Sequence, residues 1–250
     1  MKTAILTGAS SGLGREFALR IRKAFPDIEE ILLVARRAGR LEELAARIGG
    51  CRAVCADLTK AEDIAALATG LEEEHAEVRL LINCAGCGYL GAFADSEPAE
   101  QENMIRLNVL ALTQVTRAVL PYMRRGARII NISSIASFVP NAYMTVYSAT
   151  KAYVQSFSRA LRYELNEKGI GVTAVCPGPM ETEFLSIGRI SGCSKTFDRL
   201  PYCKPAKVAA HALRSAKRGR SVYTPKLFYK FYRVIAHILP KAWLLPAART

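Results

Sequence analysis

Residues 2–14 have the sequence KTAILTGASSGLG, in which a short apolar strand runs directly into a glycine-rich turn. A helical pattern of apolar residues follows over 17–25. Gly8 permits a tight turn, Gly12 lets the backbone approach a ligand, and Gly14 allows close helix packing. The pyrophosphate of a dinucleotide can then sit at the helix N-terminus. Because the spacing is G-x-x-x-G-x-G rather than G-x-G-x-x-G, an ordinary glycine-rich turn remains the alternative.

The rest of the chain alternates between strand-like and helical segments. Its 250 residues and its hydrophobic content of 50% suit one α/β domain with a large core. The apolar runs lack a polar alternate face, as expected for strands covered by helices on both sides. We predict a single-domain, Rossmann-like, doubly wound parallel sheet with helices on both faces. After the first strand, the predicted strands are 31–34, 51–56, 78–83, 128–133 and 172–176.

The segment Tyr147-Ser148-Ala149-Thr150-Lys151 places a phenol and an ammonium four residues apart on a predicted helix. This spacing puts both side chains on one helix face. A tyrosine with a reference pKa of about 10 transfers protons poorly at neutral pH, but a neighbouring cation favours its phenolate and lowers its pKa. The pair therefore predicts a proton-transfer device. An ordinary solvated helix face is the alternative interpretation.

The two motifs together resemble those of the short-chain dehydrogenase/reductase family, and further matches follow in the family's order. The segment 83–86 (N-C-A-G) resembles the family's N-N-A-G, with a cysteine in place of the second asparagine. Asn108 lies in L-N-V, where the family places a catalytic asparagine on a long helix. Ser134 precedes Tyr147 by thirteen residues, the usual interval. Residues 177–182 (PGPMET) resemble the P-G-x-x-x-T segment that contacts nicotinamide.

The resemblance implies a role for each matched residue. Tyr147 would be the general acid in carbonyl reduction, with Lys151 favouring its phenolate, and Ser134 would hold the substrate oxygen. Asn108 would hold a water that links Lys151 to a proton relay. Ser133 is a conceivable substitute for Ser134, but strand alternation points adjacent side chains to opposite faces. The implied cofactor-binding residues are Gly8, Ser10, Ser11, Gly12, Leu13, Gly14, Arg36, Arg37, Asp57, Leu58, Asn83, Ala85, Gly86, Tyr147, Lys151, Pro177, Gly178 and Thr182.

Cofactor choice follows from the end of the second predicted strand. An enzyme that uses NAD usually needs a carboxylate there for the ribose 2′-hydroxyl. Ala35 occupies that position, while Arg36 and Arg37 offer planar donors that suit a 2′-phosphate. We therefore expect NADP(H), with Asp57 and Leu58 bordering the adenine. Arginines that merely begin a solvated helix are the alternative.

The family's substrate loop varies, and in this chain it would span about 183–205. Its apolar residues favour a small hydrophobic ketone or aldehyde, such as an acyl, lipid-like or steroid carbonyl, or the corresponding alcohol. Its polar residues keep open the alternative that the substrate carries an acidic or phosphorylated tail. The candidate wall residues are Phe184, Leu185, Ile187, Ile190, Phe197 and Leu200, with Tyr89, Phe93, Phe138, Val139 and Tyr143 elsewhere in the chain.

The seven cysteines and the absence of a secretory signal predict reduced thiols and a cytoplasmic location. Cys84 and Cys87 form C-x-x-C, but no second pair has matching spacing, so we expect no metal site. The net charge of +13 would attract nucleic acid or an anionic membrane. We expect no nucleic-acid binding, because the positive charges are spread over several helices with little aromatic interleaving.

Residues 1–225 are predicted to form the catalytic domain, and 226–250 a basic, apolar C-terminal extension. Prolines interrupt the extension, so it contains no span of about 20 apolar residues. We expect it to pack on the domain or on a sister subunit. The alternative is peripheral membrane contact as an amphipathic helix, with Trp243 as an interfacial anchor.

Long helices are predicted over 98–125 and 146–168, and family members often assemble through such helices. The resemblance therefore implies a homodimer or homotetramer. Two functions of another class stay open: a non-catalytic, NADP-binding redox sensor, and a scaffold subunit that depends on its extension. The retention of all four implied catalytic residues argues against the sensor. Activity in a protein without the extension would argue against the scaffold.

Overall fold

A computed structural model of the chain describes residues 1–190 and 200–248, with backbone alone at Lys241 and Ala247. The strands in these residues are β1 (Lys2–Thr7), β2 (Glu30–Ala35), β3 (Cys51–Cys55), β4 (Glu77–Asn83), β5 (Met123–Ile132), β6 (Gly171–Val175) and β7 (Val222–Tyr223). They form one sheet in the order β3-β2-β1-β4-β5-β6-β7. Every neighbouring pair is parallel, which confirms the predicted doubly wound sheet.

Helices cover both faces of the sheet. A π-helical turn at Arg106–Ala111 joins the fifth helix to the sixth. The helices of the described residues are α1 (Gly12–Ala18), α2 (Ile21–Ala24), α3 (Ala38–Ile48), α4 (Ala61–Glu73), α5 (Pro98–Ile105), α6 (Leu112–Val119), α7 (Thr145–Glu164), α8 (Glu183–Ile187), α9 (Pro205–Lys217), α10 (Leu227–Ile238) and α11 (Lys241–Leu244).

The core consists of two layers, one on each face of the sheet. Adjacent strand residues enter opposite layers, as the two-residue period of a strand requires. Leu6 packs in the layer that contains residues of α1 and α9, whereas Ile5 packs in the layer that contains residues of α4 and α6. Both side chains have no exposed surface. The apolar strand runs of the sequence are therefore buried on both sides.

The end of one long helix and the presence of a last, short strand differ from the sequence prediction. The predicted helix 98–125 is wrong at its C-terminal end, because β5 begins at Met123. Pro121 lies in the short 3₁₀ turn Leu120–Tyr122 that precedes the strand, and proline cannot donate the backbone hydrogen bond that a continuing helix needs. The strand β7 was not predicted, because two residues are too short to show a period.

The C-terminal extension folds over the carboxyl end of β6. Tyr229 on α10 is fully buried, and its hydroxyl donates a 2.9 Å hydrogen bond to the Pro201 carbonyl. A Cβ added at Gly178 would lie 2.3 Å from the Tyr229 ring, so only glycine leaves room for this contact. The rings of Tyr232 and Phe138 lie 5.9 Å apart. Among the described residues, no helix combines the length and apolar character needed to cross a bilayer.

Candidate active site

The glycine turn after β1 is shaped by contacts that exclude side chains. Gly8 has a φ of +68°, and a Cβ there would lie 2.7 Å from the Ala85 nitrogen. A Cβ at Gly14 would lie 2.0 Å from the Gly8 carbonyl oxygen. The start of α1 therefore packs directly on the turn. Backbone from β1 and β4 meets here at the carboxyl edge of the sheet, where doubly wound folds bind ligands.

A cavity of about 600 Å³ extends along this edge of the sheet. It reaches from the second strand, past the glycine turn, to α7 and the C-terminal extension. Of the predicted catalytic and cofactor-binding residues, Asn83 and Asn108 do not line it. The predicted residues that do are Gly8, Ser10, Ser11, Gly12, Leu13, Gly14, Arg36, Arg37, Asp57, Leu58, Ala85, Gly86, Ser134, Tyr147, Lys151, Pro177, Gly178 and Thr182.

Asn83 lies at the end of β4, but its side chain turns beneath the cavity. Its amide donates to Thr116 Oγ1 at 3.0 Å and to Asn131 Oδ1 at 2.8 Å. Its own buried Oδ1 has no hydrogen-bond partner among the described residues. Asn83 therefore links β4, β5 and α6 under the site, whereas the sequence analysis placed it against the cofactor.

Asn108 lies within the π-helical turn and holds the loop that follows β4. Its Oδ1 accepts from the Cys87 nitrogen at 3.0 Å, and its Nδ2 donates to the Cys87 carbonyl at 2.8 Å. The same amide donates to Thr150 Oγ1 at 3.1 Å. A Cβ at Gly86 would lie 2.9 Å from Asn108 Oδ1, so the loop approaches the asparagine closely. Asn108 thus connects the loop to α7, one residue before Lys151.

Tyr147 and Lys151 lie one turn apart on α7 and face the cavity together. Both are buried, with 8% and 5% of their surfaces exposed. The Lys151 ammonium donates a 3.0 Å hydrogen bond to the Ile132 carbonyl at the end of β5. The Tyr147 ring packs on Phe184 at a centroid distance of 5.7 Å. The helix and the strand end therefore fix both groups.

Ser133 and Ser134 point in different directions, as strand alternation predicts. The Ser133 hydroxyl donates to the Lys151 carbonyl at 2.8 Å, so it holds the backbone of α7. The Ser134 hydroxyl accepts from the Ala136 nitrogen at 3.1 Å and also hydrogen-bonds with the Tyr147 phenol. Ser134 is therefore the serine that meets the phenol.

Burial determines the protonation of both groups in this structure. It raises the pKa of Tyr147 to about 12, while the hydrogen bond with Ser134 acts to lower that pKa. It lowers the pKa of Lys151 to about 8. The prediction that Lys151 brings the Tyr147 pKa below its usual value is wrong for this state, because loss of solvent outweighs the favourable interactions. The phenol stays protonated at neutral pH.

Arg36 and Arg37 lie at the other end of the cavity, after β2. Arg36 is exposed, and its guanidinium forms no hydrogen bond or ion pair with the described residues. Arg37 donates to Ser10 Oγ at 3.2 Å and to Glu183 Oε2 at 2.8 Å. Arg40 pairs with Glu183 Oε1 at 2.6 Å. Glu183, whose role was not predicted, therefore connects α8 to the start of α3, and Arg37 continues the connection to Ser10 of the glycine turn.

Asp57, which follows β3, is held by the next residues of its own loop. Its Oδ1 accepts from the Thr59 nitrogen at 3.1 Å and from the Thr59 hydroxyl at 2.8 Å. Although burial opposes the shift, these hydrogen bonds lower the pKa of Asp57. Asp57 and the buried Leu58 both line the cavity near Arg36.

The wall near Tyr147 is mostly apolar. Among the predicted wall residues, Tyr89, Phe184, Leu185, Ile187 and Leu200 line the cavity. Ile190, Phe138 and Val139 are buried beside it, while Phe93 is 60% exposed and Tyr143 also lies outside its lining. Phe197 lies outside the described residues. Wall residues that the sequence analysis missed are Met144, Met180, Phe228, Tyr229, Tyr232, Leu244 and Ala248.

The thiols near the site are protonated. Burial raises the pKa of Cys84 to about 12 and that of Cys87 to about 11. Every cysteine of the described residues has a free thiol. Within 1–190 and 200–248, no three side chains of histidine, cysteine, aspartate or glutamate come together as a metal site requires.

The sequence of this chain is similar to those of known proteins. Residues 2–187 match the family described as short chain dehydrogenase. The serine 3-dehydrogenase of Rhizobium radiobacter is 35% identical over 201 residues, which are 79% of this chain and 79% of that protein.

Two solved structures are similar to this chain over almost its whole length. A short-chain dehydrogenase from Sphingobium yanoikuyae in complex with NADPH is 32% identical, with a TM-score of 0.80 over 97% of this chain and 98% of that one. The bulky-bulky ketone specific alcohol dehydrogenase from Comamonas testosteroni is 30% identical, with a TM-score of 0.75 over 97% of this chain and 96% of that one.

Proposed function

Because this chain belongs to the short-chain dehydrogenase family, we propose that it is an NADP(H)-dependent oxidoreductase that interconverts a hydrophobic carbonyl compound and its alcohol. The observation that carries this proposal is the convergence of three groups in one cavity: the Ser134 hydroxyl, the Tyr147 phenol and the Lys151 ammonium. A protonated phenol beside a hydroxyl and a buried cation suits proton transfer to a developing alkoxide.

The cavity has the features that a dinucleotide requires. Gly8, Gly12 and Gly14 keep side chains out of the space above the start of α1, where backbone N–H groups attract phosphates. A Cβ at Gly12 would lie 3.2 Å from the Thr182 Cβ, so the glycine leaves a narrow passage opposite the PGPMET segment. We assign pyrophosphate binding to the glycine turn and nicotinamide contacts to the segment 177–182.

The preference for NADP(H) rests on the end of β2. Ala35 provides no carboxylate to accept from a ribose 2′-hydroxyl or to repel a phosphate. The Arg36 guanidinium has no hydrogen-bond partner among the described residues, so it keeps its donors for a 2′-phosphate. Arg37 is already engaged with Ser10 and Glu183, which makes Arg36 the principal phosphate ligand.

The chain's own residues supply the proton chemistry. Bound nicotinamide supplies or accepts the hydride at the substrate carbon. Ser134 donates to the carbonyl oxygen, and Tyr147 transfers its phenolic proton to that oxygen as negative charge develops. The Lys151 ammonium stabilises the resulting phenolate. Asn108 positions the loop of Cys87 against α7. This contact keeps Tyr147 and Lys151 in place beside the cavity.

The substrate end favours an apolar molecule. The cavity is lined by Phe184, Leu185 and Ile187 on α8 and by Phe228 and Tyr232 of the extension. This arrangement supports a hydrophobic ketone or aldehyde rather than a small charged one, because a charged group would lose its hydration there. The solved relative from Comamonas testosteroni, named for bulky-bulky ketones, is consistent with such a substrate.

The assembly and the location are part of the proposal. Exposed apolar side chains at the end of α5, in the π-helical turn and on α7 support a homodimer or homotetramer. Among them are Ile105, Leu110, Tyr153 and Tyr163. The free thiols support a reducing, cytoplasmic setting.

The test compares the wild-type protein with Tyr147→Phe. We expect the wild type to bind NADPH more tightly than NADH and to oxidise NADPH in the presence of hydrophobic ketones. Tyr147→Phe removes the transferable proton but keeps the ring, so it should abolish turnover and leave the NADPH dissociation constant nearly unchanged. Full turnover in this variant would refute the assignment, and tighter binding of NADH would refute the cofactor preference.

A further inference from the structure

We propose that the C-terminal helix α10, together with Trp243, docks on the surface of an anionic lipid bilayer. The docking surface is an apolar stripe formed by Leu227, Phe231, Val234 and Ile238. These positions follow the spacing i, i+4, i+7 and i+11, so their side chains lie along one face of the helix.

The stripe faces away from the protein. Leu227 is 81% exposed, Phe231 66% and Ile238 71%, and Val234 is half exposed. The opposite face is buried, since Tyr229 is fully covered and Ala236 is 8% exposed. A helix that packs on a domain normally places its polar face in water. α10 instead exposes its apolar stripe to solvent. This exposure indicates that the stripe faces an apolar environment other than the protein core.

Trp243 is a further exposed apolar side chain, five residues after the last residue of the stripe. It lies on α11 and is 72% exposed, although it has the largest apolar side chain available. Indole prefers the membrane interface, where its ring meets acyl chains and its N–H meets water or headgroups. The exposed Leu245 lies two residues further along the chain.

Charge favours an anionic bilayer over other apolar partners. No aspartate or glutamate follows Asp198, whereas lysine and arginine recur up to residue 249. Lys226, which immediately precedes α10, and Lys230 on α10 are exposed, and their alkyl stems can reach past the stripe toward headgroups. Cations near an anionic surface are attracted to its headgroups, and salt screens this attraction.

A second copy of this chain would fit the stripe less well than an anionic bilayer does. In a two-fold dimer the same surface would face itself, so the stripe of one copy would cover the stripe of the other. The lysines beside the stripe would then approach the lysines of the partner copy, with no acidic residue of the extension between them. An anionic lipid surface covers the same apolar area and neutralises those charges.

The docking helix is also part of the cavity wall. Phe228 and Tyr232, on other faces of α10, line the cavity, as does Leu244. A docked protein therefore holds its substrate cavity beside the bilayer, and a carbonyl lipid dissolved there would lie close to it. This consequence rests on the proposed function, whereas the docking itself does not.

The experiment measures binding to vesicles without cofactor or substrate, so its result is independent of the proposed activity. The probes are vesicles of phosphatidylcholine alone and of phosphatidylcholine with phosphatidylglycerol. Trp243 is the single tryptophan of the chain, so its fluorescence reports docking directly. We expect co-sedimentation and a blue shift with the anionic vesicles, both weakened by salt.

A triple variant separates the stripe from the rest of the surface. Leu227→Ser, Phe231→Ser and Ile238→Ser together should weaken vesicle binding by at least about tenfold, since the bilayer loses three apolar side chains that docking would bury. These residues do not line the cavity, so turnover of a water-soluble ketone should be unchanged. The matched control carries Leu19→Ser and Phe93→Ser, at exposed apolar positions outside α10, and should bind vesicles like the wild type.

Three outcomes would overturn the proposal. The first is no binding of the wild type to anionic vesicles at low salt. The second is equal binding by the wild type and the triple variant. The third is a dimer, measured by sedimentation equilibrium, that the triple variant loses while neither protein binds vesicles, which would identify a second copy as the occupant.

Discussion

The Lys151 ammonium lies 5.6 Å from the centroid of the Tyr147 ring and donates its hydrogen bond to the Ile132 carbonyl, not to the phenol. The sheet therefore holds the cation, and the helix holds the phenol. The cation thus lies near the ring without a hydrogen bond to the phenol. Under the proposed function, it stabilises the phenolate that forms when Tyr147 gives up its proton.

The buried ammonium should make stability depend on pH. Burial lowers the pKa of Lys151 from 10.5 to about 8. Between these values the unfolded chain binds a proton that the folded protein has lost, so the free energy of unfolding should rise with pH across this window. Below a pH of about 8 the destabilising effect of the buried charge is complete.

Lys151→Met removes this effect while keeping the shape of the side chain. We expect the variant to be more stable than the wild type at neutral pH by about 1 to 3 kcal/mol, and to be inactive. Urea unfolding of both proteins near pH 8 and near pH 10.5 measures the difference. Other groups also titrate in this range, but they are common to both proteins. Identical pH dependence in the two would contradict the prediction.

Ser134→Ala should impair the reaction more than binding. The change removes a donor to the carbonyl oxygen and a partner of the Tyr147 phenol. We expect kcat to fall by about 10²- to 10³-fold, as for loss of an oxyanion-stabilising donor, with the NADPH dissociation constant unchanged. Ser137→Ala is the matched control, because Ser137 lies on the same turn and does not line the cavity. A comparable loss in the control would assign the effect to the turn instead.

Gly14→Ala should weaken cofactor binding and stability together. The new Cβ would lie 2.0 Å from the Gly8 carbonyl oxygen, so the turn has to move. We expect a loss of about 1 to 3 kcal/mol in stability and at least a tenfold loss in NADPH affinity. Gly70→Ala on α4 meets no atom within 4 Å and should instead stabilise the protein by up to about 1 kcal/mol. Chemical unfolding and NADPH fluorescence titration distinguish the two variants.

Arg36→Leu should change cofactor preference. Loss of the charge-assisted hydrogen bonds to a 2′-phosphate should weaken NADPH binding by about 10- to 100-fold and leave NADH binding unchanged. Arg40→Leu is the control, because Arg40 pairs with Glu183 and does not line the cavity. If Arg36→Leu weakened the binding of NADPH and of NADH equally, the arginine would stabilise the loop and would not bind the 2′-phosphate.

Local patterns were sufficient to predict the sheet and to select residues that, for the most part, line one cavity. The glycine turn, Ser134, Tyr147 and Lys151 each lie at a strand end or on one helix face, where a short period fixes direction. Asn83 shows the limit of this reasoning. Its backbone position follows from the strand, but its side chain direction depends on Thr116 and Asn131, which are distant in sequence.

Contacts between distant segments were not predictable for the same reason. Glu183 meets Arg37 and Arg40 across more than 140 residues, and nothing near it in sequence indicates that contact. Likewise, the hydrophobic pattern of the C-terminal extension showed that it has an apolar face. It did not show that Phe228 and Tyr232 would reach the cavity, because their positions depend on the packing of Tyr229 against Gly178.

The family match ends at residue 187, yet Phe228, Tyr232 and Leu244 form part of the cavity wall. Part of the wall of the candidate site thus belongs to a different stretch of the chain from Ser134, Tyr147 and Lys151. Substitutions in the last stretch can alter which molecules enter without disturbing Ser134, Tyr147 or Lys151. On the proposed function, substitutions in the C-terminal extension are therefore a route to altered substrate selectivity that leaves the proposed catalytic residues in place.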